Sequence, residues 1–238
     1  MNHKLIACIT ELSIMVVLNS CGIIRQSPKT SFVDGLYSQK TEHTKQKVYV
    51  DVDEDELTVY TTSGSGRKLV VDTTSGIRYS ASLRSNVLKK SNFSKYSYDI
   101  DFITIPLKYR FGTAGVPQQL NANINGAIYL GYRTDRYVVR YQPNALGQAV
   151  KRITHYGFSF GICTGIGNTD MNATNTANLL AKEYDGLVWN KGLTGIIAID
   201  NFTIGLVFGF DNLLDKNHTI WIYENKPWIG LGFGLNLN

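Results

Sequence analysis

The C-terminal stretch Trp228-Ile229-Gly230-Leu231-Gly232-Phe233-Gly234-Leu235-Asn236-Leu237-Asn238 decides the fold. Every second residue from Ile229 to Leu237 is a large hydrophobe, and those between are mostly Gly or Asn. A strand sends successive side chains to opposite faces, so this segment has one greasy face and one nearly bare face. A soluble antiparallel sheet also alternates, but its second face is usually charged and solvated. Gly is a poor strand former in water, because it costs backbone entropy and offers nothing to pack. Glycines backing a row of bulky residues suit a wall with hydrocarbon on one side and a crowded interior on the other.

The pattern recurs upstream. Tyr156, Phe158, Phe160, Ile162 and Ile166 alternate with His155, Gly157, Ser159, Gly161, Cys163, Gly165 and Gly167. Phe202, Ile204, Leu206, Phe208 and Phe210 alternate with Thr203, Gly205, Val207, Gly209 and Asp211. Ala122, Ile124, Ile128, Leu130 and Tyr132 alternate with residues that include Asn121, Asn123, Asn125, Arg133 and Asp135. In 102–111 one parity carries Ile103, Ile105, Leu107, Tyr109 and Phe111, and the other Thr104, Lys108 and Arg110. Each run is about 9–11 residues, the length a tilted strand needs to cross a bilayer core. No internal stretch has the roughly 18 continuous apolar residues of a membrane helix. The expectation is an all-β fold, an antiparallel up-and-down β-barrel of about eight transmembrane strands. A closed barrel alone leaves no unpaired strand edge in lipid. The competing reading is a soluble β-sandwich or lipocalin-like barrel with a buried apolar face.

Composition narrows the function. Net charge is +5, but the basic residues are scattered, with no dense Lys/Arg block. No nucleic-acid-binding signature accompanies them, so no nucleic-acid partner is expected. Tyr (14) and Phe (10) are abundant, as strands and interfacial aromatic belts require.

The N-terminus reads as a targeting segment. A short basic start, Met1-Asn2-His3-Lys4, precedes a largely apolar run from Leu5 to Leu18, interrupted by Glu11. Leu18-Asn19-Ser20-Cys21-Gly22 follows and resembles the lipobox of bacterial lipoproteins, which makes Cys21 a lipidation site. Acyl chains there would hold the chain end at a membrane, at about 0.8 kcal/mol per buried methylene. A cleaved signal peptide or a buried N-terminal helix are the alternatives. With Cys8 removed and Cys21 lipidated, Cys163 stands alone and no disulfide framework is expected.

The expected organisation is a signal peptide over 1–20, a polar linker over 21–46 with a short strand near 32–37, an acidic β-hairpin over 47–66 and the barrel over 67–238. The cluster Asp51, Asp53, Asp55 and Glu56 lacks the Gly and Glu spacing of a calcium loop and reads as a solvated turn. Barrel strands are expected near 99–112, 119–138, 153–168, 187–199, 202–212 and 227–238, with strands in 68–84 bringing the count to eight and 86–98 as a connection. The tight Asp200-Asn201 link lies between long polar links at 168–186 and 212–227. Long loops on one rim and short turns on the other is the outer-membrane arrangement. Two links break that parity, 139–152 being too long and 113–118 too short. Pro106 within a strand predicts a bulge.

Together these features resemble the small outer-membrane β-barrel proteins of Gram-negative bacteria, the OmpA/OmpX-like class. The resemblance covers roughly residues 68–238 and implies an outer-membrane location, membrane lipid as partner, a monomeric state and a structural or surface-interaction role. Such barrels often end in an aromatic residue, whereas this chain ends Leu237-Asn238.

A small barrel is filled by side chains, not open. The inward parity holds Lys108, Arg110, Arg133, Asp135 and Asp211, which are expected to pair as an interior polar network, because unpaired charges there would be costly. No enzyme, metal or cofactor is expected. His155 and Ser159 share a face but lie about 13 Å apart along a strand, too far to bond. No nucleophile elbow, zinc motif or phosphate loop occurs. Two further readings stay open: a lipid-anchored soluble β-domain binding a small ligand, and a barrel enzyme acting on envelope lipids.

Overall fold

The computed structural model describes residues 31–41, 44–53, 56–64, 68–83, 90–200 and 202–235. The signal segment, Cys21 and most of the linker lie outside these residues. The strands are β1 (Gly35–Lys40), β2 (Lys45–Asp53), β3 (Glu56–Ser63), β4 (Val70–Tyr79), β5 (Ser82–Leu83), β6 (Ser91–Arg110), β7 (Gln119–Ala122), β8 (Asn125–Pro143), β9 (Ala149–Met171), β10 (Tyr184–Ile199), β11 (Phe202–Leu213) and β12 (Pro227–Leu235). All are joined in one antiparallel sheet. No α-helix forms among the described residues; 3-10 turns occur at Thr174–Thr176 and Lys216–Thr219.

Six strands close a ring in the order β6, β8, β9, β10, β11, β12 and back to β6. A circuit of paired neighbours from Tyr98 passes through Tyr132, Phe160, Gly195, Leu206 and Leu231 and returns to β6 at Leu107, nine residues along. Such a stagger requires steeply tilted strands and, with so few of them, a narrow interior. Glycines and other small residues share that interior with a few large side chains, while most of the large apolar ones face out. A Cβ at Gly209 would meet three ring carbons of Trp228 under 3.0 Å, so this glycine makes room for a fully buried indole.

The ring has six strands rather than eight because the 68–84 segment lies elsewhere. β4 has little apolar periodicity and is exposed along nearly its whole length, and it pairs with β3. The strands β1–β4 extend from the N-terminal half of β6 through the β1–β6 pairing. β4 runs on through Ser80-Ala81 into β5, which pairs with the start of β9. The protruding ends of β6, β8 and β9 therefore form a second closed assembly with β1–β5. We call it the lobe. Its core packs Phe32, Tyr37, Val48, Val50, Leu57, Val59, Phe93 and Tyr137. Phe32 stacks on Tyr137 at 4.6 Å. The Tyr37 hydroxyl donates to the Val33 carbonyl at 2.7 Å, and that of Tyr141 to Ser80 at 2.8 Å, so these rings enter the core without stranding their oxygens.

Several boundaries differ from the sequence reading. The 86–98 stretch is not a connection throughout: from Ser91 it is strand, with Phe93 in the lobe core. Its Ser, Lys and Asn content hides a strand that the lobe stabilises. The 139–152 link is two strand ends and a turn at 144–148, with Asn144 Oδ1 accepting from the Leu146 and Gln148 amides. It is therefore a short turn, as the parity of rims demands. The 119–138 strand is split at Asn123–Ile124 into β7 and β8. The split faces Ile105–Pro106, and the β6–β12 register slips at the same height, between Leu231 and Phe233. Pro106 has no N–H to give either neighbour, and the expected bulge sits there. The acidic hairpin forms, with Asp53 opposite Glu56.

Burial pushes the Tyr37 hydroxyl up from 10.0 to about 12. Above pH 10 the unfolded chain loses a proton that the folded lobe keeps, so lobe stability is full below pH 10 and falls towards pH 12, by on the order of 2 kcal/mol from this group. Denaturant titrations across that window should show the decline, and Tyr37→Phe should make it shallower; an identical pH profile in the variant would contradict this assignment.

Candidate functional site

The interior charges gather in two clusters, one near each end of the ring. Towards the loops, Asp211 of β11 accepts from Lys108 Nζ of β6 at 2.9 and 3.0 Å, and Arg110 of β6 reaches its other side. All three side chains are buried. Lys108 Nζ lies 4.4 Å over the Trp228 ring, and the Arg110 guanidinium lies 5.1 Å from the Trp221 ring and 5.3 Å from that of Tyr223. Trp221 and Tyr223 come from the link after β11 and pack with Met171, Val188 and Leu213. One carboxylate thus neutralises one of two cations, and aromatic faces attract the excess charge.

Towards the lobe, Asp135 of β8 accepts from Arg133 Nε at 2.8 Å and contacts His155 Nε2 of β9 at 2.7 Å. Arg133 Nη1 lies 3.9 Å from Asp99 Oδ2 on β6. The His155 ring stands 4.8 Å from Tyr137, which joins this cluster to the lobe core. The His155 backbone is fixed at the tight turn, its amide donating to Asp200 Oδ1 at 2.8 Å.

All five charged residues singled out from the sequence are therefore buried inside the ring, but in separate groups. The parity argument overlooked Asp99, because counting in β6 began beyond it, and gave His155 no charged partner. Trp221, Tyr223 and Asn190 also went unremarked. Of the asparagine run, Asn125 is buried and donates to the Ile105 and Asn123 carbonyls, so it bridges the break beside Pro106 and takes no part in the ion pairs. Ser159 and His155 do not meet: Ser159 Oγ bonds the Tyr129 hydroxyl at 2.6 Å. No cluster of His, Cys, Asp or Glu with metal-binding geometry occurs among the described residues.

The outer face is apolar all the way round. Phe102, Ile128, Phe158, Ile162, Ile197, Leu206 and Leu231 lie on it, with Phe158 at 55 % and Ile162 at 58 % exposure. They stand beside one another across the pairings: Phe102 by Ile128, Leu130 by Ile162, Phe158 by Ile197, and Leu206 by Leu231. Among the described residues no second sheet layer covers them. Near the lobe Tyr98 packs on Tyr132 at 6.0 Å. Towards the loops stand Tyr109, Phe111 and Trp189, with Lys191 Nζ 4.7 Å over the Trp189 ring.

Comparison with protein-family models, curated proteins and solved structures gave no match.

Asp211→Ala should leave Lys108 and Arg110 buried without a counter-ion and destabilise the ring by about 3–5 kcal/mol. Thermal unfolding of the purified chain would read this as a large loss of stability. Unchanged unfolding would mean that the cluster is not structural.

Proposed function

We propose that the ring is a β-barrel spanning the outer membrane of a Gram-negative cell, with a structural or surface-interaction role and no catalytic activity of its own. The observation that carries this reading is the unbroken apolar face around the whole ring, set against an interior that holds the charges. In water so large a contiguous apolar surface would drive association. In a bilayer it is the favourable arrangement, and polar residues turned inward are the pattern of membrane barrels. From Tyr156 to Ile166 the outward run of β9 is about 33 Å long, and a tilt of about 45° brings it near the roughly 25 Å apolar band of such barrels. Aromatic residues towards both ends suit the two interfaces, and Lys191 lies where a long side chain would reach head groups. Between Phe102, Ile166 and Leu187 an apolar outer trough of ≈ 620 Å³ passes over Gly126; acyl chains would fill it.

Orientation follows from the rims. The turns at 144–148 and at Asp200 lie on the lobe side, together with the described ends of the chain. The longer links 111–118, 172–183 and 214–226 lie on the other. By the rule for outer-membrane barrels the lobe is periplasmic and the longer links face outward. Lipid at Cys21 would then add a second attachment on the periplasmic leaflet.

Membranes from cells producing the Cys21→Ala variant should retain the protein through an alkaline carbonate wash; release into the supernatant would overturn the barrel and favour a tethered soluble domain. Independently, Phe160→Arg should lower stability in lipid or micelles by about 2–4 kcal/mol, since the charge would sit near the bilayer midplane. In a soluble domain the same exposed substitution would be nearly neutral.

A further inference from the structure

Two features meet on the outer face of β8, β9 and β10. The first is the apolar trough of ≈ 620 Å³, which runs from Leu187 near the loop rim past Ile166, Thr164 and Ile128 to Phe102. Its floor is Gly126, which shares the outward face of Ile128 and stands between Thr104 of β6 and Ile166 of β9. A Cβ at Gly126 would lie 2.9 Å from the end of the Phe102 ring, so a side chain there would fill the trough. The second feature is Lys191, which follows Leu187 and Trp189 along the outward face of β10 and is half-buried. The Trp189 indole is fixed in place. Its Nε1 donates to Thr164 Oγ1 on the trough wall at 2.8 Å, and that hydroxyl donates to the Asn190 carbonyl at 3.3 Å. Lys191 Nζ lies 4.7 Å over the indole. The cross-strand neighbours of Lys191 are Thr164 and Phe210, and among the described residues it has no ion-pair partner. A half-buried ammonium on an apolar wall calls for a counter-ion, which an indole face replaces only in part.

We propose that this part of the wall holds an anionic bilayer lipid, with its phosphate on Lys191 and one acyl chain in the trough. The inference rests on the membrane reading above and adds a preferred lipid class to it. The trough by itself takes any acyl chain. Lys191 supplies the choice. A compact ammonium is attracted to a head group of net negative charge and gains little from a zwitterionic one, whose own cation offsets the phosphate. The heights agree with this placement. Leu187 and Trp189 lie towards the loop rim, where head groups stand, and Phe102 lies deeper, towards the bilayer centre.

The test is tryptophan quenching of the full chain in phosphatidylcholine nanodiscs that carry, at low mole fraction, either phosphatidylglycerol or phosphatidylcholine with a brominated acyl chain. Bromine quenches an indole that it touches. Trp189 is exposed on the outer face, whereas Trp221 and Trp228 are buried. Brominated phosphatidylglycerol should reach half-maximal quenching at a mole fraction about fivefold lower than brominated phosphatidylcholine. Lys191→Gln should make the two lipids equal. Gly126→Leu, which fills the trough, should weaken quenching by both, and Trp189→Phe should remove the selective part of the signal. A chain that enters nanodiscs but shows no preference overturns the proposal and leaves the membrane reading standing; a chain that does not enter them overturns both. A preference that survives Lys191→Gln would come from the net charge of +5 and would equally overturn the assignment.

Discussion

Closure of β12 onto β6 is the constraint on which the rest depends. The pairs from Trp228 opposite Arg110 to Leu235 opposite Phe102 turn an open sheet into a ring. Once closed, each strand must divide its residues between a narrow inside and an unlimited outside. Bulk is excluded from the inside, which is why glycines lie there and why a few large residues, Trp228 and Tyr129 above all, fill it. Charges on that face are cut off from solvent and must meet one another. Large apolar residues on the other face have no layer to enter among the described residues.

The interior charges are uneven in design. The loop-end cluster has two cations and one carboxylate, with indole and phenol faces around them. The lobe-end cluster joins Asp135 to the Arg133 guanidinium and to His155, with Asp99 3.9 Å from the same guanidinium. The loop-end excess is met by aromatic rings from the chain.

Much of this was legible from residue order alone. Alternation in 155–167, 202–211 and 229–233 assigned the outer and inner faces, because a strand's period of two survives any later packing. The inward charges were legible for the same reason. Where the phase slips, reading failed: Ile103 and Ile105 share a parity with Tyr109 and Phe111, yet the first two are buried and the last two exposed. A bulge reverses the faces, and Pro106 announced a bulge without fixing which residue was extra. The lobe was not legible either. Its strands alternate weakly, and Ser91–Tyr98 is stabilised by partners that come from 35–40 and 132–139. Which carboxylate meets which cation is set by the stagger of the ring, a property of closure that no single segment contains.

β6 is shared by both closed assemblies, and the two differ in when they can be completed. The pairings of the lobe are complete by His155, whereas the last seam of the ring waits for Trp228–Leu235. During vectorial delivery the chain would therefore reach a stage at which the lobe is sealed and holds one half of β6 rigid, while the other half offers a bare flank to a late arrival. Loop closure over so long a separation is slow. A strand already anchored at one end reduces the search, so the completed lobe would be the template on which the final segment docks.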